Sequence, residues 1–213
     1  IQWYRKAADQ GHTEAKTNLN RLIQLQQKIT DITNWKTLGA KMYVAKSYSQ
    51  AIQWYKKAAD AGDTESVYWV GECYFMLTQY TQAIEWYNKA AEQKNINAQY
   101  RLGYCYENAK GTSQNYSEAV KWYAKAAEQG HADAQLRLAN CYASGQGVTQ
   151  DNVTAVQWYQ KAANNGNAEA QYYVGDCYSK GIGLKKSPTE AANYYKKAAA
   201  QNHIKAQYKI ANY

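Results

Sequence analysis

The stretch WYAKAAEQGHADAQ, residues 122–135, decides the fold. Its first part, two aromatic residues, a spacer and Lys-Ala-Ala, recurs along the chain. The copies begin at Trp3, Trp54, Trp86, Trp122, Trp158 and Tyr194. The last four begin 36 residues apart, and a fixed period of 20–50 residues is typical of repeat proteins whose units stack on one another.

Each period carries two amphipathic helices. Within residues 116–128, alanines and Tyr123 recur at i, i+4, i+7 and i+8, which is one face of a helix. Residues 132–144 repeat this spacing with Ala, Leu and Cys. Gly130 stands where the helix at 116–128 ends, and Asn115 stands where that helix begins, as an N-cap should. Neither helix can bury its apolar face alone, so neighbouring hairpins must stack.

These patterns predict an all-α fold, a right-handed α-α superhelical solenoid of stacked antiparallel helix hairpins. The spacing divides this continuous array into three segments. They are an N-terminal helical segment at 1–33, tetratricopeptide-like helix pairs at 34–95 and regular 36-residue repeats at 96–213. Phe, a common core residue, occurs only once, whereas Tyr occurs 22 times and Trp 7 times. Tyrosine, tryptophan and alanine must therefore form most of the core.

The interval from Trp3 to Trp54 is longer than one period. Apolar residues within it, Leu19, Leu22, Ile23 and Ile29, have helical spacing and predict a buried face. A further helix is expected to begin near Asn34. We therefore expect an irregular joint at residues 29–35.

The repeat frame resembles the Sel1-like repeat, a relative of the tetratricopeptide repeat. The resemblance rests on Leu102-Gly103-x-x-Tyr106 followed by Ala119-x-x-Trp122-Tyr123-x-Lys125-Ala126-Ala127-x-x-Gly130. It covers residues 96–213 closely and 49–95 more loosely. Proteins of this family are generally adaptors and scaffolds, so the resemblance implies a non-catalytic chain that takes no cofactor.

The cysteines invite a metal or disulfide interpretation. Cys73, Cys105, Cys141 and Cys177 occupy one repeat position on the apolar helix face. Stacked helices lie about 8–10 Å apart, whereas a disulfide needs Cα atoms within about 7 Å. We therefore expect buried free thiols and no metal site. Unpaired thiols favour a cytoplasmic location; because the chain begins inside a repeat, we also expect preceding sequence, which leaves a secreted or periplasmic origin open.

The predicted binding surface lies on the first helix of each pair, opposite its packing stripe, which lines the concave face in tetratricopeptide-like solenoids. Its members are acidic, aromatic or amide-bearing, apart from one leucine. They are Glu65, Tyr68, Glu72, Phe75, Tyr100, Tyr104, Glu107, Leu136, Asn140, Tyr172 and Asp176. We expect a protein or peptide partner that carries a basic and apolar segment.

Two alternatives remain open. One is an inhibitor or immunity-type binder of an effector enzyme. The other uses the net charge of +8, through lysines on the second helices, to bind nucleic acid or another acidic surface. The spread of these lysines along the chain disfavours nucleic acid. No apolar run reaches the ~18 residues of a membrane span, and the sequence gives no oligomeric state.

Overall fold

The computed structural model describes residues 1–211. This part of the chain contains twelve α-helices and no strand, which confirms the all-α class. The helices fall into two compact units, Ile1–Trp86 and the residues from Tyr87 onward. Within each unit, consecutive helices pack against each other across short turns, as expected for stacked hairpins.

The first unit begins with α1 and a long α2. Its helices are α1 (Gln2–Asp9), α2 (Thr13–Val44), α3 (Tyr48–Asp60), α4 (Thr64–Met76) and the first part of α5 (Tyr80–Glu92). Its core lies between α3 and α4, where Tyr55 and Val70 are buried beside Cys73.

The second unit holds the regular repeats. Its helices after α5 are α6 (Ile96–Glu107), α7 (Tyr116–Glu128), α8 (Ala132–Ser144), α9 (Asn152–Asn164), α10 (Ala168–Lys180), α11 (Pro188–Ala200) and α12 (Ile204–Ala211). We call α4, α6, α8, α10 and α12 the first helices, and α3, α5, α7, α9 and α11 the second helices. Tyr123, Tyr195 and Leu138 are among its most deeply buried side chains.

The predicted helix ends are confirmed. Asn115 Oδ1 accepts a hydrogen bond from the backbone N–H of Glu118 at the start of α7. Asp151 and Ser187 make the same type of bond at α9 and α11, and Pro188 is the first residue of α11. His131 caps α8 through Nδ1, which accepts from Ala134 N–H at 3.2 Å. These caps satisfy N–H groups that a helix start leaves without an internal partner.

The expected joint at residues 29–35 is wrong. Helix α2 runs without a break from Thr13 to Val44, so no new helix begins near Asn34. The stretch has no Pro, and its only Gly is Gly39, so nothing in it breaks a helix. The expected apolar face is also only partly buried. Leu19 is buried, whereas Ile23 and Ile29 are 45% and 58% exposed.

Candidate interaction surface

Three residues of the predicted surface are inside the protein. Tyr68, Glu72 and Leu136 are each less than 10% exposed, so the prediction that they face a partner is wrong. A first helix packs against a second helix on each side, and its buried stripe is therefore wider than the sequence period suggests. The remaining positions are at least partly accessible, and Glu65 is exposed.

Polar residues of this surface accept hydrogen bonds from the second aromatic residue of the recurring stretch. Tyr123 donates its hydroxyl hydrogen bond to Glu107 Oε2, at 2.6 Å. Tyr159 donates to Asn140 Oδ1 and Tyr195 to Asp176 Oδ1, both also at 2.6 Å. Each bond joins a second helix to the first helix before it. Glu107, Asn140 and Asp176 thus have structural partners, which the sequence analysis did not foresee.

Basic side chains accompany the carboxylates of the second unit. Arg137 Nη1 lies 3.8 Å from Glu107 Oε1. Lys180 Nζ lies 3.0 Å from Asp176 Oδ2, and Lys209 Nζ lies 3.7 Å from Asp176 Oδ1. Burial pushes the pKa of Asp176 upward, but hydrogen bonds from Tyr195 and Lys180 outweigh it and lower the pKa. The predicted acidic character of this surface is therefore largely neutralised within the protein.

The aromatic positions are held firmly while staying partly accessible. Tyr100 stacks on His131 with ring centroids 4.6 Å apart. Tyr172 stacks on His203 in the same way, at 4.9 Å, and its neighbour Tyr173 stacks on Tyr159 at 5.1 Å. Such stacking fixes ring positions before any ligand arrives, which lowers the entropy cost of a contact.

A chain of amide hydrogen bonds links successive repeats below this surface. Gln135 Nε2 donates to the carbonyl of Ala127, and Gln135 Oε1 accepts from Asn165 Nδ2. Gln171 repeats the arrangement with Ala163 and Gln201. The glutamines are buried, so these bonds fasten neighbouring hairpins. Their sequence signal is the recurrence of Gln at one position of the period, which the sequence analysis overlooked.

The first unit has a cleft of about 410 Å³ that is lined by residues of α2, α3 and α4. Its lining is mostly aromatic and apolar, and it comprises Lys36, Thr37, Ala40, Tyr43, Val44, Tyr55, Glu65 and Trp69. Tyr43 meets Trp69 edge to face at 5.3 Å, and Trp69 stacks on Tyr55 at 5.9 Å. At the rim, Lys36 Nζ contacts Glu65 Oε2 at 2.6 Å and Asp63 Oδ1 at 3.2 Å.

The opposite faces of the second helices carry a different repeated pair. Lys125 Nζ lies 4.0 Å from the Trp122 ring centroid, and Lys161 Nζ lies 3.8 Å from that of Trp158. These lysines are exposed, as predicted. Trp158 itself packs against residues of α7 and α8 as well as against α9 and α10, so it joins two repeats.

All four cysteines are buried, as predicted, and none of them forms a disulfide bond within the described residues. Burial raises the pKa of Cys73 to about 12 and that of Cys141 and Cys177 to about 11. Such thiols are poor nucleophiles near neutral pH, because the thiolate is the reactive form. Within residues 1–211, no group of three or more His, Cys, Asp or Glu side chains could hold a metal ion.

Stacked hairpins with regular inter-repeat bonds define a helical repeat protein of the tetratricopeptide-like class. The Sel1 repeat family model matches residues 1–12, 96–131, 132–167 and 168–203, and the chain belongs to that family. A second model, described as anaphase-promoting complex, cyclosome, subunit 3, matches residues 44–111. No curated protein matches the sequence.

Solved structures agree with this assignment. A Sel1 repeat protein from Oxalobacter formigenes is 36% identical, with a TM-score of 0.75 over 82% of this chain and 73% of its own. The protective antigen c5321 of uropathogenic Escherichia coli, which displays the same fold, is 29% identical with a TM-score of 0.78. That alignment covers 98% of this chain, which spans 42% of the antigen's length. A tetratricopeptide protein described as having an unusual peptide-binding site, YrrB, is 18% identical and shares the fold, with a TM-score of 0.53.

Sel1 and tetratricopeptide-like repeat proteins generally mediate protein–protein interactions and are generally not enzymes. Among residues 1–211, no helix has the length and apolar character needed to cross a membrane. The chain accordingly belongs to a class of repeat proteins whose members generally bind other proteins.

Proposed function

We propose that this chain is a non-catalytic scaffold or adaptor that binds a protein partner along its first helices. One observation carries the proposal. Two first helices of the second unit present tyrosines that are partly accessible yet fixed by stacking, Tyr100 on α6 and Tyr172 on α10. Tyrosine is enriched among residues that dominate binding energy, because its ring contributes large contact area with few rotatable bonds.

The partner's chemistry follows from the side chains that remain available. Since Glu107 and Asp176 already lie beside basic residues, an apolar and aromatic contact surface with polar edges explains binding better than a wholly acidic groove does. We therefore propose a segment that inserts apolar side chains between the tyrosines. Basic residues in that segment would set its register at the exposed Glu169 rather than supply most of the affinity.

Site-specific photo-crosslinking in cells tests this proposal. A photoreactive amino acid at position 104 or 172 samples the first helices, whereas one at position 125 or 161 samples the opposite faces of the second helices. We expect one protein to be trapped from both positions of the first pair. Trapping only from positions 125 and 161 would contradict the proposal and support the alternative basic surface.

Salt dependence separates the two surfaces further. If the lysines of the second helices carried the binding, affinity would fall steeply as salt rises, since exposed charges are screened. Binding through the tyrosines should change little over the same range. Tyr104→Ala should then raise the dissociation rate, while Lys125→Glu together with Lys161→Glu should leave it unchanged.

A further inference from the structure

The tyrosine that is the second aromatic residue of the recurring stretch has different hydroxyl contacts in the two units. Tyr123, Tyr159 and Tyr195 each donate to a side chain of the preceding first helix. Tyr55 is their counterpart in the first unit and is 3% exposed. Among residues 1–211, no group accepts a hydrogen bond from its hydroxyl. No buried side-chain oxygen among these residues lacks a hydrogen-bond partner, so the Tyr55 hydroxyl reaches the solvent in the cleft that Tyr55 lines. A ligand that displaces water there has to supply an acceptor.

The rest of the arrangement around Tyr55 matches the regular repeats. The Tyr55 ring lies against Gly39 of α2, where an added Cβ would come within 2.9 Å of the ring. The Tyr123 ring lies against Gly103 and the Tyr195 ring against Gly175 in the same way. Tyr55 is therefore seated like the others, and only the acceptor is missing.

The sequence explains the missing acceptor. In α6 the acceptor of Tyr123 is Glu107, four residues after the packing glycine Gly103. In α10 the acceptor comes directly after the packing glycine, since Gly175 is followed by Asp176, which binds Tyr195. Asn140 holds the same position in α8 and binds Tyr159. In α2 the residue after Gly39 is Ala40, whose side chain has no acceptor. Ala40 and Tyr55 both line the 410 Å³ cleft, so the small side chain leaves space where the other repeats hold a polar group.

We propose that this cleft binds a partner segment that inserts an Asn or Gln side chain and supplies the missing acceptor to the Tyr55 hydroxyl. The proposal deepens the proposed function, on which it rests, by naming the chemistry of one contact. The carboxamide of Asn140 bound to Tyr159 at 2.6 Å shows that this group fits a repeat tyrosine. The inserted carboxamide takes the place that Asn140 occupies in α8.

The charges at the rim favour a neutral carboxamide over a carboxylate. Lys36 already contacts Asp63 and Glu65, so these three groups together carry a net negative charge. In the second unit, by contrast, the acceptor Asp176 has two lysines beside it. A partner carboxylate in the cleft would lack such compensation, and burying an uncompensated charge is costly.

The walls of the cleft suit the remainder of such a side chain. Tyr43 and Trp69, in edge-to-face contact with each other, form one aromatic wall of the cleft, and Ala40 and Val44 add apolar surface. The aliphatic part of a Gln side chain packs against these groups while its amide oxygen reaches the hydroxyl. Specificity arises because an apolar side chain of equal size would leave the hydroxyl unsatisfied.

A displayed library of random peptides, selected for binding to the whole chain, provides the probe. We expect the enriched peptides to share one Asn or Gln, and replacing it with Leu to weaken binding about tenfold, the effect of one lost hydrogen bond. Ala40→Asn should weaken binding at least as much, since the new side chain fills the cleft and accepts from Tyr55. Lys41→Asn, at the adjacent exposed position of α2, is the matched control and should bind like wild type.

Tyr55→Phe gives an independent check that keeps the packing. It should weaken the selected peptide about tenfold, with an unchanged melting temperature showing that the fold is intact. Peptides without a shared carboxamide, equal binding to Ala40→Asn, or no enrichment at all would overturn the inference. A peptide weakened by Tyr104→Ala but not by Ala40→Asn would overturn the cleft alone and leave the proposed function supported.

Discussion

Tyr55 and Tyr195 occupy the same position in two different repeats, but their hydroxyl groups have different surroundings. Both rings rest on a glycine of the preceding helix, Gly39 of α2 for Tyr55 and Gly175 of α10 for Tyr195. The hydroxyl of Tyr195 binds Asp176, whereas that of Tyr55 lies in an open cleft beside Ala40. The packing contact is therefore repeated while the polar contact next to it varies, and the proposed binding of a ligand in the cleft depends on that variation.

The largest expected effect tests whether packing is shared as this comparison requires. Trp158 packs against two successive hairpins, so Trp158→Ala should reduce the free energy of unfolding by about 3 kcal/mol. Chemical denaturation followed by circular dichroism measures it. Part of the loss should appear as early unfolding of one end, because repeats contact only their neighbours.

Trp3→Ala is the matched control for that substitution. Trp3 begins the first copy of the recurring stretch but is 81% exposed, so its removal should lower the free energy of unfolding by less than about 0.5 kcal/mol. Equal losses of stability in the two variants would mean that the burial of the tryptophan does not determine its contribution to stability.

A substitution at the packing glycine sharpens the comparison. An added Cβ at Gly175 would lie 2.7 Å from Cδ1 and Cε1 of Tyr195, so Gly175→Ala should cost about 1–3 kcal/mol by forcing the ring outward. Natural Ala139 sits at the equivalent position beside Tyr159, which is 5% exposed where Tyr195 is fully buried. The reverse change, Ala139→Gly, should cost only the helix propensity of about 1 kcal/mol. A stabilised Gly175→Ala would show that the close contact is not needed.

A smaller effect concerns a cap that differs among repeats. Burial lowers the pKa of His131 below its ordinary value of 6.5, and its Nδ1 must be unprotonated to accept from Ala134 N–H. The unfolded chain therefore binds the proton more readily, so stability is lost as the pH falls from 6.5 through the lower pKa of the folded state. We expect a loss of about 1 kcal/mol, the usual value of a cap.

His131→Asn isolates this contribution. Asn167 caps α10 through its side chain in the same way, so the variant should keep the cap and lose the part of the acid dependence that belongs to His131. Thermal unfolding between pH 5 and 8 measures it. Identical pH profiles for the variant and wild type would contradict the assignment.

The sequence predicts the periodic features of this molecule well and its exceptions poorly. Helix ends at Asn115 and Pro188 follow from local chemistry, and the burial of the cysteines follows from the 36-residue period. The continuity of α2 could not be inferred, because one long helix differs from two consecutive helices in local sequence only by the lack of a helix breaker.

The polar details of the surface required coordinates for a different reason. Glu72 is buried and Glu107 binds Tyr123, although both fall on the face opposite the packing stripe of one isolated helix. Which residues of that face stay accessible depends on the neighbouring hairpins, and a helical period contains no information about them. The loss of the acceptor at Ala40 is visible in the sequence only once Asn140 and Asp176 are known to bind tyrosines.

The most direct test of the account is the cost of removing single tyrosine hydroxyls. Tyr159→Phe loses a bond to Asn140 and should reduce the free energy of unfolding by about 1 kcal/mol, whereas Tyr55→Phe should change it by almost nothing. Exchanging the acceptors should exchange the costs. In Ala40→Asn the Tyr55→Phe change should become destabilising, and in Asn140→Ala the Tyr159→Phe change should become nearly neutral. Equal losses for Tyr55→Phe and Tyr159→Phe in the wild-type background would contradict the account, because the Tyr55 hydroxyl would then already have a partner within the protein.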